Sequence, residues 1–180
     1  MRLGHSADWR NGMQADRIPA IPDISRPPRD LVDALAAIGS ATLASELYHK
    51  MGIRDPQIRG PRPLRSGSTA AGPALTLQCM PKREDLYNET EYEEPERQLH
   101  RHVLYPTQPG GDLGSGIFGE MMLTYFAGRG GAGVVVDGCI RDSAQAAALD
   151  IGIWVRGVTP NFHAQTNIVP FAVNVPIACS

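Results

Sequence analysis

The chain has 180 residues, 42% of them apolar and 20% charged, and its 17 Lys and Arg against 19 Asp and Glu give a net charge of -2 and a pI of about 6.2. That length suits one domain with a real core and is short for two. The balanced charge lacks the basic surface of a nucleic-acid reader, and no apolar stretch approaches the roughly 20 residues of a membrane span, so neither nucleic acid nor membrane is an expected partner.

Residues 1–28 read as an arm, either disordered or draped over a neighbour. They are polar, and Pro19, Pro22, Pro27 and Pro28 bar a long helix. The opening "MRLGHSADWRNGMQADRIPA" has no apolar centre of a secretory signal. Cys79, Cys139 and Cys179 match no zinc or redox spacing and sit in apolar company, so buried thiols in a reducing, cytoplasmic compartment are expected.

The domain proper is placed at 29–180. A helix is predicted over Arg29–Ile38, where Leu31, Val32, Leu35 and Ile38 recur at helical spacing. Gly39 is read as its stop and Ser40 as the cap of a second helix, "ATLASELYHKMG", ended by Gly52. Both are expected to pack on a sheet face. Ala70–Met80 reads as a strand, with Leu75, Leu77 and Cys79 alternating. The acidic stretch "PKREDLYNETEYEEPERQ" reads as a solvated loop or helix entry, "RQLHRHVLY" as a helix and "PTQPGGDLGSGIFGE" as a Gly-rich loop. There follow a helix ("EMMLTYFAGRG", ending at Gly128 or Gly130), a strand ("GAGVVVDG"), a helix ("SAQAAALDIG"), a strand ("IWVRGV"), a loop ("TPNFHAQTN") and a strand ("FAVNVPIACS"). This alternation argues for α/β layers around a partly parallel sheet.

Three constellations stand out. The glycines from Gly110 to Gly119 fit no Walker or Rossmann pattern. They form either a tight turn or a close approach to a small ligand, in front of a helix opening at Glu120, Met121 and Met122, whose first N–H groups attract anions. His100 and His102 flank Arg101 at a spacing that suits solvation or capping better than a metal; His163 lies in a loop, where contact with a ligand is the lesser of its two readings. Arg141 and Asp142 end a valine-rich strand, where open α/β sheets place ligands. They are either a surface salt bridge or a working pair: an arginine fork for a carboxylate and a hard oxygen ligand for Mg²⁺.

The stretch "GRGGAGVVVDGCIRD" resembles the signature of the RraA-like superfamily, which includes class II 4-hydroxy-4-methyl-2-oxoglutarate/4-carboxy-4-hydroxy-2-oxoadipate aldolases and regulators of ribonuclease E activity. Members are often misnamed demethylmenaquinone methyltransferases. "ATLASELYHKMG", "GPALTLQC", "QPG", "SGIFGEMM", "RGVTPNF" and "NVPIAC" fit in the same order, so the resemblance covers about residues 30 to 179. It implies a layered α/β/β/α sandwich of the swivelling-domain-like type. It implies that Arg141 binds and polarises the pyruvyl part of a substrate, that Asp142 holds Mg²⁺ or Mn²⁺, and that Glu120, in place of a more usual Asp, positions metal-bound water as the base. Gly119 and the N–H groups of Met121 and Met122 would receive the oxo-acid end. The implied reaction is retro-aldol cleavage of a 4-hydroxy-2-oxo acid to pyruvate, or decarboxylation of oxaloacetate, through an enolate. No Schiff-base lysine is required, and the chain has only Lys50 and Lys82.

The chain departs from the pattern twice. A valine-rich strand expected near 110/111 is missing, and the chain stops at Ser180, ahead of a tail that usually supplies an acidic ligand to the neighbouring subunit. Trimers or hexamers are implied. Beside the lyase stand two other readings: a non-catalytic trimeric regulator that inhibits a protein such as a ribonuclease, and an enzyme of the same site with another substrate, its pocket reshaped by Arg83.

Overall fold

A computed structural model describes residues 23–81, 103–105, 113–162, 166 and 168–179. The first two helices are α1 (Arg29–Ala36) and α2 (Ser40–Met51). Gly52 closes α2 in the left-handed region at φ 70°, as its position after the last apolar residue predicts. Ser40 is not a cap: it is the first helical residue, and Gly39 stands at the cap without a side-chain bond. The expected packing on a sheet is slight among the described residues. Val32 is the one buried residue of α1, and α2 has none.

A mixed sheet forms the centre. It contains β1 (Arg62–Pro63), β3 (Val103–Tyr105), β4 (Gly116–Phe118), β5 (Gly133–Ile140) and β6 (Gly152–Val158). β6 runs parallel along one edge of β5, with Val134 opposite Ile153 and Val136 opposite Val155. The other edge of β5 is shared. β3 pairs with its first half, Val103 opposite Val134, and β4 with its end, Phe118 opposite Ile140. β1 adds antiparallel to β6. The run of valines in β5 suits a strand flanked on both edges, because branched side chains pack well on a pleated surface. The second sheet is the antiparallel pair of β2 (Leu77–Pro81) and β7 (Ile168–Val173).

Two helices connect the parallel strands. α3 (Glu120–Gly128) joins β4 to β5, and α4 (Ser143–Ala147) joins β5 to β6. One buried cluster draws on every layer: Leu77 and Cys79 of β2, Val134 and Ile140 of β5, Leu123 and Phe126 of α3, and Ala146 of α4. The mixed α/β fold is therefore the one expected, and Leu75, Leu77 and Cys79 are buried as their alternation predicts.

Several local expectations change. "RQLHRHVLY" ends in a strand, not a helix, because Val103–Tyr105 meets the open edge of β5 and gains ladder hydrogen bonds there. Gly116–Phe118, read as loop, is a strand for the same reason. The last strand stops at Val173, and Asn174 turns the chain at φ 57°. The arm over residues 1–22, the acidic stretch with Arg83, His100 and His102, the junction near 110/111, and His163 lie outside the described residues. Cys79 and Cys139 are buried and Cys179 partly so, none in a disulfide. Burial, then the charge of Asp137, pushes the Cys179 thiol up.

Candidate functional site

The C-terminal ends of β4, β5 and β6 lie side by side, and the backbone stitches them together beyond the strands. Arg141 N donates to Phe118 O at 2.7 Å, and Thr159 N to Ile140 O at 3.0 Å. Gly116 N donates to Asn161 O at 2.9 Å. Arg141 and Asp142 leave β5 at the middle of this edge, where parallel α/β sheets place ligands.

Asp142 adopts the left-handed conformation at φ 54°, ψ 43°, a region that aspartate tolerates better than most side-chain-bearing residues. The turn brings its carboxylate back to the start of α3, where Oδ2 accepts the backbone N–H of Glu120 at 3.0 Å. A side chain 22 residues along the chain thus serves a helix whose own cap, Gly119, has no side chain. Gly119 is also a clearance. A Cβ there would lie 2.6 Å from Asp142 Oδ2 and 3.1 Å from Arg141 Nη2. Four of the expected site residues, Gly119, Glu120, Arg141 and Asp142, therefore share one place.

The first intrahelical bond at this end of α3 runs from Leu123 N to Gly119 O, so the N–H groups of Met121 and Met122 lie in the turn before it. The Met121 side chain is exposed, and that of Met122 packs partly on the core; neither side chain is needed for a role played by backbone. The Glu120 carboxylate turns toward its own helix, where Oε1 accepts the Thr124 hydroxyl at 2.9 Å. It sits at the edge of the site and makes no hydrogen bond with Arg141 or Asp142 among the described residues.

Arg141 is not half of a surface salt bridge. No carboxylate among the described residues pairs with it, and its Nε is shut from solvent without a hydrogen-bond partner. A buried donor left unmade costs on the order of 1–3 kcal/mol, which marks the group for a ligand or for a functional constraint. Its guanidinium carbon lies 5.7 Å from the centre of the Phe162 ring. Phe162, with Asn161 and Thr159, was missed in the sequence. The signal available was position: these residues follow β6, the third strand to end at this edge.

The donor set suits a hard cation. Asp142 and Glu120 offer carboxylate oxygens, and Mg²⁺ commonly takes one or two carboxylates and completes its shell with water. No group of three or more His, Cys, Asp or Glu that could hold a metal occurs among the described residues. The donors present therefore fit a water-rich site and not a closed protein cage. Lys50 is exposed on α2 and paired with Glu46 at 2.6 Å.

Comparison with known proteins agrees with this architecture. Residues 29–180 match the family described as RraA-like, Aldolase/RraA. A protein of Halalkalibacterium halodurans named "Putative 4-hydroxy-4-methyl-2-oxoglutarate aldolase" is 31% identical over 126 residues, 66% of this chain and 53% of that protein. A protein of the same name from Alkalilimnicola ehrlichii is 39% identical over 69 residues, 38% of this chain and 43% of that protein. The chain thus spans about half the length of the curated relatives it matches. The crystal structure of Streptomyces coelicolor RraAS2, described as an unusual member of the RNase ES inhibitor RraA protein family, superposes with a TM-score of 0.73 at 37% identity, covering 86% of this chain and 77% of that one. The RNA-processing inhibitor RraA from Thermus thermophilis shares the fold at 19% identity, with a TM-score of 0.56 over 78% of this chain and 79% of that one.

Proposed function

The chain belongs to the RraA-like family of aldolases and RraA proteins, and on that premise we propose that it is a divalent-metal-dependent lyase that cleaves a 4-hydroxy-2-oxo acid to pyruvate. One observation carries the reading. Arg141, with no carboxylate partner among the described residues and a solvent-excluded Nε, stands beside Asp142 at the start of α3.

The roles follow from charge. The Arg141 fork matches the planar 2-oxo carboxylate of the substrate, and later the enolate made from it. The N–H groups of Met121 and Met122, with Gly119 leaving room, receive the carboxylate end. Glu120 orients the water that takes the C4-hydroxyl proton. As that proton leaves, the oxygen forms a C4=O bond and releases the carbonyl product, while the C3–C4 bond breaks and its electron pair becomes the enolate of pyruvate, whose charge Arg141 holds. Protonation at C3 gives pyruvate. Asp142, with Glu120 nearby, would hold Mg²⁺ or Mn²⁺, which when bound supplies Lewis-acid polarisation of the oxo group. Oxaloacetate decarboxylation yields the same enolate, so it is expected as a side activity.

The test is pyruvate release coupled to lactate dehydrogenase, with oxaloacetate and 4-hydroxy-4-methyl-2-oxoglutarate offered in turn. The expected result is turnover that needs Mg²⁺ or Mn²⁺, stops with EDTA and is lost in Arg141→Ala. A folded, metal-supplied protein that releases no pyruvate from either substrate argues against the lyase.

The similarity to RraAS2 favours a second reading, a trimeric regulator that binds and inhibits a protein such as a ribonuclease. Under it, Arg141→Ala leaves partner capture intact, and ribonuclease inhibition is measurable with the wild type.

A further inference from the structure

We propose that Phe162 is a positioning residue, holding the Arg141 guanidinium in the plane in which it meets a planar oxo-acid. The inference rests on the oxo-acid reading of this site and adds to it a role for a residue to which the sequence reading gave none.

Two glycines bound the arginine. Its aliphatic stem crosses Gly116, where a Cβ would meet it, and its fork faces Gly119, where a Cβ would lie 3.1 Å from Nη2. Glycines make room, but they exert no directional pull on a guanidinium. The usual orienting partner, a carboxylate, is absent among the described residues, and Nε makes no hydrogen bond there. The Phe162 ring, 5.7 Å from the guanidinium carbon, is within the range at which an aromatic face attracts a cation.

The ring is itself fastened. Phe162 forms a parallel bridge with Gly116, and Gly116 N donates to Asn161 O at 2.9 Å. Asn161 Nδ2 donates to Gly114 O at 3.2 Å. The segment after β6 is thus tied to the segment leading into β4, and the ring sits over the arginine on a braced backbone. Phe162 keeps 39% of its surface exposed, so replacing it does not open the core. Its face is placed to set the arginine's orientation more than the stability of the fold.

Oxalate is a planar analogue of the pyruvate enolate, and its binding reads the site without requiring turnover. Calorimetric titration of oxalate in saturating Mg²⁺ is expected to show Phe162→Ala weakened about 2- to 30-fold, the range that a cation–π contact of this kind supports. Phe162→Leu, which fills the space without a π face, should weaken as much. Phe162→Tyr and Phe162→Trp should stay within about 2-fold of wild type. Should Phe162→Ala fail to fold, Phe162→Leu against Phe162→Tyr decides the matter. Oxalate binding that is lost in Arg141→Ala but unchanged in Phe162→Leu overturns the positioning role and leaves the oxo-acid reading standing. A wild type that binds no oxalate overturns both.

Discussion

Asp142 carries two duties that a single substitution can separate. Its carboxylate caps α3 through the Glu120 N–H, and its charge is the one proposed to hold a metal. Asp142→Asn keeps an acceptor oxygen and a residue type that tolerates the left-handed region, while removing the charge. Thermal denaturation is expected to place it within about 1 kcal/mol of wild type, since a cap is worth roughly that much, and the coupled assay is expected to find no pyruvate. Loss of both fold and activity would instead make Asp142 a structural residue. A buried carboxylate nearby in the sequence behaves differently. Asp137 on β5 is fully buried and pairs with Arg156 on β6. Removing the arginine leaves that carboxylate inside the protein without it. Arg156→Ala is therefore expected to cost about 3–5 kcal/mol in urea denaturation, with Arg156→Lys recovering part of it. A loss below 1 kcal/mol would mean that water or other partners compensate the Asp137 charge.

Among the elements, α3 links stability to chemistry. Its inward residues Leu123 and Phe126 are buried, while its first turn forms one wall of the site. Leu123 is 1% exposed, so Leu123→Ala removes a filled side chain and is expected to cost about 2–5 kcal/mol. The same change lets the start of α3 shift, so oxalate affinity should fall with it, measured at a temperature where the variant is still folded. Unchanged affinity would show that Asp142 alone fixes the helix start. β3 shows the limit of reading elements locally. "RQLHRHVLY" has helical composition, yet Val103–Tyr105 lies on the open edge of β5, where a strand satisfies backbone groups that a helix would leave unpaired.

Across the molecule, the two N-terminal helices leave Leu31, Leu35, Tyr48 and Met51 exposed, and Ile38 between them is exposed too. So much neighbouring apolar surface would suit burial against another copy of the chain. The trimer or hexamer expected from the family would cover it. Light scattering should then report three or six copies, and Leu31→Glu combined with Leu35→Glu should shift the protein to smaller species; a monomeric wild type would count against assembly. The parts of the site legible in the chain were those carried by near neighbours. The valine run of β5 delivering Arg141 and Asp142, and the Gly119–Met122 opening of a helix, follow from periodicity and adjacency, which a linear string records. Other features could not be read that way: Asp142 capping α3 from 22 residues away, β3 joining an edge in place of a helix, and Phe162 facing Arg141. Each depends on which strands meet in the sheet, and that is settled by the pairing of β3, β4, β5 and β6 in space and not by the residues beside it in the chain.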